Sequence, residues 1–229
     1  MKKIRIFSGI LLLSVFHLSN TSAQDVYSIF SGEMLFQSGT FEVSGEPVNS
    51  NMRFSMWFHA GQYVHIDLGD NIGFYSGGAM RNIGFIRDDD SVKIKYRSYT
   101  LGVPIALKLG SFSNDFYIFG GAEYEWLFHF KQKTFINDEK TKYKSWFSKR
   151  TPSFLPSVFA GIHFPKGFHL TFKYYLDDFL NHNYKGSDAY SDYTTYTNTQ
   201  LWYISLSWHV RDLQVSPPSG KVNLTAITR

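Results

Sequence analysis

The chain has 229 residues, 23 Lys+Arg against 19 Asp+Glu, no cysteine, and aromatic and charged fractions of 18% each. Three of the basic residues fall in the first five positions, so the rest is close to neutral and gives no support to nucleic-acid binding. Without cysteine there is no disulfide to hold an exported fold together, and no stretch after residue 23 is long and apolar enough to form a membrane helix.

The first element is a leader. Lys2, Lys3 and Arg5 precede the apolar run "IFSGILLLSVF", and the small residues Thr21 and Ala23 follow it. A basic start, a short apolar stretch and a small-residue cleavage site predict a secretory signal peptide over 1–23. The mature chain then starts at Gln24, with one domain over 24–211 and a Pro-containing, flexible periplasmic tail over 212–229.

From there the chain reads with period two. Strands are predicted at about 28–39, 50–59, 62–70, 92–110, 115–132, 153–164, 167–179 and 199–211, because side chains alternate between apolar and polar along them. "YRSYTLGVPIALKLG" sets Tyr99, Leu101, Val103, Ile105, Leu107 and Leu109 against Ser98, Thr100, Gly102, Ala106 and Lys108. Pro104 removes a ladder hydrogen bond from that strand, and a bulge is expected there. In "FYIFGGAEYEWLFHFK" the even positions Phe116 to Phe130 are mostly apolar. The odd ones carry Glu123, Glu125 and His129, with Lys131 following. "GFHLTFKYYLDDF" puts Lys173 and Asp177 on its polar face, and "LWYISLSWHVR" puts His209 and Arg211 there.

Short links ("HAGQ", "GSFSND", "FPKG") alternate with long polar ones ("TFEVSGEPVN", 71–91, 133–152, 180–198), and both chain ends fall on the short side. That layout predicts an all-β, eight-stranded antiparallel up-and-down transmembrane β-barrel with short periplasmic turns and long extracellular loops. A soluble barrel would turn its apolar face inward. Here the polar face is rich in Gly, Ser, Thr and Tyr, as suits a crowded interior, and the apolar face carries aromatics toward strand ends, including Trp126, Trp202 and Trp208. The apolar face is therefore expected to meet lipid, in a Gram-negative outer membrane.

"YTLGVPIALKLG", "FYIFGGAEYEW" and "GFHLTFKYYLDDFLN" together resemble the small outer-membrane barrels of Bacteroidota described as PorT-like, over roughly residues 90–211. The resemblance implies an eight-stranded outer-membrane barrel. It assigns no activity, and this chain departs from the usual barrel pattern in not ending on an aromatic residue.

The chemical candidates divide by face. Glu123, Glu125, His129, Lys131, Lys173, Asp177, His209 and Arg211 are expected to form a polar network inside the barrel, since an eight-stranded interior is filled by side chains and buried charges need partners. A lipid-A-modifying enzyme would need a His with a Ser or an acid at the outer, lipid-facing rim. Ser207 and His209 point inward near the periplasmic end, His182 has Tyr184 two residues on, and His65 with Asp67 lacks a nucleophile. No catalytic, cofactor-binding or metal site is expected, and Asp88-Asp89-Asp90 lacks the ligand spacing of a calcium loop. Tyr184, Tyr190, Tyr193 and Tyr196, spaced by small polar residues, are candidates for loop binding.

The expected role is non-enzymatic, structural or surface-binding. The alternatives are an accessory subunit of an export complex and a lipid-A-modifying enzyme. Outer-membrane lipids and lipopolysaccharide are the expected partners, the latter through the basic "KTKYKSWFSKR", and a protein partner in the membrane or periplasm is left open.

Overall fold

A computed structural model describes residues 25–89, 92–137, 139–187 and 190–214, the last four as backbone only. The expected leader and the tail beyond 214 lie outside the described residues. Among the described residues there are thirteen strands rather than the eight expected. They are β1 (Asp25–Val43), β2 (Glu46–Pro47), β3 (Ser50–Asn51), β4 (Arg53–Ser55), β5 (Ala60–Asp67), β6 (Ile72–Ile83), β7 (Ile86–Asp89), β8 (Val92–Ser111), β9 (Phe116–Ile136), β10 (Glu139–Trp146), β11 (Phe154–Phe164), β12 (Phe168–Asp178) and β13 (Tyr196–Gln214). All belong to one sheet. Pairing runs β9–β11–β12–β13–β1–β5–β6–β8 and returns from β8 to β9, every step antiparallel, so the sheet closes on itself. Closure gives the long strands two neighbours each and leaves no unpaired edge along the circuit.

The sequence pattern misplaced the second strand, whereas the third, expected at 62–70, falls on β5. Residues 50–59 do not form a strand that turns back at "HAGQ". β4 and β5 both run antiparallel to β1, with Leu35 opposite Ser55 and Gly32 opposite Ala60, so the chain continues in one direction and bulges at 56–59. Phe58 adopts a φ of 67° at the bulge, and the His59 carbonyl accepts from the Glu33 N–H at 3.1 Å. Met56, Trp57 and Phe58 are thereby left on the outer surface.

The tight turn instead lies at 68–71, where Leu68 N–H donates to the Ile72 carbonyl at 2.9 Å. The span 71–91, expected as a long loop, contains β6 and β7. "TFEVSGEPVN" is no open loop either. Ser44 and Gly45 have φ of 54° and 83°, as a two-residue hairpin tip requires, and Val43 pairs with Glu46 across it.

Short connections at 68–71, 112–115 and 165–167 mark one end of the closed sheet, and both described chain ends lie there, Tyr27 facing Gln214. The other end carries the hairpin tip at 44–45, the β6–β7–β8 connection, the β9–β10 hairpin and residues 179–187 and 190–195.

Pro104 causes no register shift. The β6–β8 ladder simply skips Gly77 and Gly78 and resumes with Ala79 opposite Gly102. The bulge in this region belongs to β9. Tyr99 faces His129 but Thr100 faces Leu127, so Phe128 is extra. An inserted residue reverses which positions face inward: Glu123, Glu125 and Leu127 are buried before it, and Phe130, Gln132 and Thr134 after it.

The character of the two faces also changes along the strands. Between the short turns and the bulge, outward positions are apolar and exposed, such as Leu101, Val103, Ile105, Leu107 and Leu109 on β8, while Thr100 and Lys108 point inward and are buried. Beyond the bulge the order inverts. Ile94, Tyr96 and Phe130 turn inward into a core with Leu35, Phe41, Ile83, Phe85 and Phe179, while Lys93, Lys95 and Arg97 alternate with them on the outward face.

Candidate functional site

At mid-height the interior holds an ion network built by four strands. Arg81 on β6 donates Nε and Nη2 to the two Glu33 oxygens from β1, both at 2.9 Å, and Nη1 pairs with Glu123 of β9. Lys173 on β12 pairs with Glu123 and donates to Glu125 Oε1 at 3.0 Å. Tyr175 donates to Glu125 Oε1 at 2.9 Å, and Tyr63 to Glu33 Oε1 at 3.2 Å. A Cβ on Gly102 would collide with the Glu123 carboxylate and crowd Glu125, so the bare glycine makes the room these acids occupy. Charges removed from water in this way must be held by opposite charges and hydrogen bonds. A void of about 30 Å³ remains, lined in part by Glu33, Arg81, Glu123 and Lys173. That is room for on the order of two water-probe volumes, not for a passing solute.

Three of the eight residues expected in the network, Glu123, Glu125 and Lys173, are in it. His129 and Lys131 are not, because the extra Phe128 rotates them to the outer face. There His129 stacks on Trp146 with ring centroids 4.3 Å apart, and Lys131 Nζ lies 4.7 Å from the Tyr99 ring centre. Asp177 is exposed, since β12 slips register between Tyr174 and Asp178. His209 points inward but sits lower, its ring 3.5 Å from that of His169. The Arg211 side chain lies outside the described residues. Glu33 and Arg81 were missed: β6 reads as a loop because Gly73, Gly77, Gly78 and Ala79 dilute its alternation, and the inward phase of Arg81 with Ala79 is the one trace it leaves.

Toward the short turns, Lys108 pairs with Asp67 and donates to Tyr27 Oη at 3.0 Å. His163, His169 and His209 follow on β11 to β13, with His163 Nε2 2.8 Å from Asp115 Oδ1. Among the described residues, no group of three or more His, Asp or Glu is placed to hold a metal ion.

At the far end the tyrosines expected to present a contact surface turn inward. Tyr193 and Tyr196 are buried, and Tyr184 and Tyr190 pack against the same core. Tyr193 donates to Gln132 Oε1 at 2.6 Å and Arg150 Nη1 donates to the same atom at 2.9 Å, while Tyr96 and Tyr196 share a hydrogen bond of 3.0 Å. Burial raises the Tyr193 hydroxyl pKa above the usual phenol range. Residues 179–187 and 190–195 therefore close this end of the sheet as a lid of packed rings. Beside them an open pocket of about 290 Å³ lies between Gln132, Lys142, Tyr143, Arg150 and Tyr190.

No protein-family profile and no curated protein matches the chain. Among solved structures, similar chains include Ail, the attachment invasion locus protein of Yersinia pestis, solved with the heparin analogue sucrose octasulfate. It is 11% identical, covering 82% of this chain and all of Ail, with a TM-score of 0.38. Neisserial surface protein A is 12% identical over 81% of this chain and 96% of its own, with a TM-score of 0.40. The outer membrane protein OprG of Pseudomonas aeruginosa is 11% identical over 81% and 96%, with a TM-score of 0.36. Similarity at this level assigns no role to this chain.

Proposed function

We propose that this protein is an integral outer-membrane protein, an eight-stranded up-and-down barrel formed by β1, β5, β6, β8, β9, β11, β12 and β13. Its short turns face the periplasm, its long connections face outward, and residues 1–23 are removed on export. The role is non-enzymatic, structural or surface-binding, with no open pore. The observation that carries this is the inversion of polarity along β8 and β9. A soluble barrel has no reason to expose Val103, Ile105 and Ile118 in one band and switch to lysine and arginine beyond a single row of rings. A bilayer boundary gives that reason, because only its hydrocarbon favours an apolar exterior, and only a closed sheet satisfies every backbone group there.

Aromatic rings collect at both limits of the band, as they do at membrane interfaces. Phe116 with Phe164 and Phe168 with Trp208 stand near the turns; Tyr99, His129, Trp146 and Trp126 stand at the far side. The PorT-like segments fall on β8, β9 and β12 of this barrel and add no role. Surface binding is supported by the pocket beside Tyr190.

The absence of cysteine makes a clean test available. Single variants I105C and K133C, reconstituted in vesicles, are treated with a membrane-impermeant maleimide. Protection at 105 together with labelling at 133 is expected. Equal labelling at both positions, or a wild-type mature chain that stays monodisperse without detergent, would overturn the proposal.

A further inference from the structure

The outward face beyond the bulge carries a cationic lattice that the interior does not explain. Register aligns it in rows across β8, β9 and β10. The first row is Tyr99, His129 and Trp146; the next is Arg97, Lys131 and Lys144; then come Lys95, Lys133 and Lys142; the outermost is Lys93, Phe135 and Lys140. Neighbouring strands lie about 4.8 Å apart and alternate residues about 6.8 Å apart along a strand, so these cations sit within one screening length of each other. Like charges directly opposite on a sheet repel. Among the described residues one ion pair reaches the set, Lys93 to Asp88 at 2.5 Å. The Lys95 and Lys133 amines are held below the usual lysine range, first by partial burial and then by surrounding cations, Arg97 foremost. The lysine stems do find cover, since Lys95 and Lys140 both reach over the Phe135 ring.

We propose that this lattice binds the phosphate-bearing headgroups of an outer-leaflet lipid. The inference rests on the membrane orientation proposed above and names the ligand of that surface. Three features select a lipid over a soluble polyanion. The lattice begins on the row adjacent to the aromatic girdle, the level at which headgroups lie. Its charge is densest there, with three cations in each of the two rows next to the aromatic one. It thins to two in the outermost row, where Asp88 already holds Lys93. A site for a soluble polyanion has no reason to fade with distance from the membrane. The surface is also a sheet face with side chains standing off it, which suits an array of headgroups rather than one enclosed anion. A Lys or Arg at an anionic membrane surface contributes about 1 kcal/mol.

The test uses the full mature chain in detergent micelles, with bisphosphorylated lipid A as the probe, and compares wild type with the triple variant K95Q/K133Q/K142Q. Wild type is expected to bind and to weaken as salt is raised. The variant is expected to lose about a hundredfold in affinity, as three such contacts imply, while keeping the heat-dependent gel migration of a folded barrel. Unchanged affinity in the variant would overturn the lattice, as would equal binding of dephosphorylated lipid A. Equal binding of a soluble sulfated oligosaccharide or of inorganic phosphate would overturn the lipid assignment. Failure of wild type to show heat-dependent migration would instead count against the barrel itself, so the two proposals fail separately.

Discussion

Two charged regions of this molecule obey opposite rules. Inside, Glu33, Glu123 and Glu125 meet Arg81 and Lys173 in a network where almost every charged atom has a partner. Outside, eight cations stand on three adjacent strands, and among the described residues one carboxylate, Asp88 of β7, pairs with them. The difference follows from solvent. A charge moved into a low-dielectric interior carries a desolvation cost that only a close counter-charge offsets, so sequences that keep such groups keep their partners. A charge left in water is tolerated unpaired, and nothing in folding requires it to gather with others of its sign. The buried network is therefore accounted for by stability, whereas the exposed lattice points to something outside the chain.

The largest effect should come from breaking the interior. Lys173 is 1% exposed and touches both Glu123 and Glu125. Replacing it with Met leaves two neighbouring carboxylates with Arg81 alone, and a loss of about 3–5 kcal/mol is expected. Urea unfolding in detergent micelles measures it. The double variant E123L/K173M should recover most of that loss, because removing both partners leaves less charge uncompensated. If the double is as damaged as the single, packing rather than charge holds this layer, and the contrast between the two regions weakens.

A second effect tests the outward face below the girdle. Ile105 is 68% exposed yet lies in the apolar band. Ile105→Lys should cost about 2–4 kcal/mol in a bilayer if the site is near the midplane, read from folding into lipid vesicles across a urea series. On a water-exposed strand the same change would cost little. A neutral result would remove the hydrocarbon from this surface and with it the boundary that separates the two charged regions.

How much of this was legible in sequence depended on whether the period held. On β8, β12 and β13 the alternation runs across the part of the strand between the short turns and the bulge level, and the assigned faces match the burial of Ile105, Lys108, Lys173 and Trp208. It broke where one residue was inserted. A reader counting by twos carries His129 and Lys131 into the interior, because "LFHFK" continues to alternate after Phe128 even though the backbone has changed phase. Residues 50–59 failed differently: a bulge and a turn both interrupt pairing, and sequence alone does not distinguish a chain that kinks from one that reverses. Arg81, half the cationic side of the network, was hidden by neighbouring glycines, which have no side chain to mark a face. The cationic lattice spans three strands, and its rows emerge only once register is known.

The smallest effect separates folding from function most directly. Lys133 faces Lys95 on one side and Lys142 on the other, both directly across strands. If the lattice exists for folding, removing its central member should destabilise the hairpin. If it is tolerated strain maintained for an anionic ligand, Lys133→Gln should relieve two like-charge contacts and stabilise the lipid-free protein by about 0.2–1 kcal/mol. Hydrogen exchange of the β9–β10 amides in uncharged detergent would show the gain as slower exchange. Adding anionic lipid should reverse the order, with wild type then protected more strongly than the variant. That crossover is not expected of a lattice whose charges are merely solvated, because a solvated face has no term that changes sign when phosphate arrives.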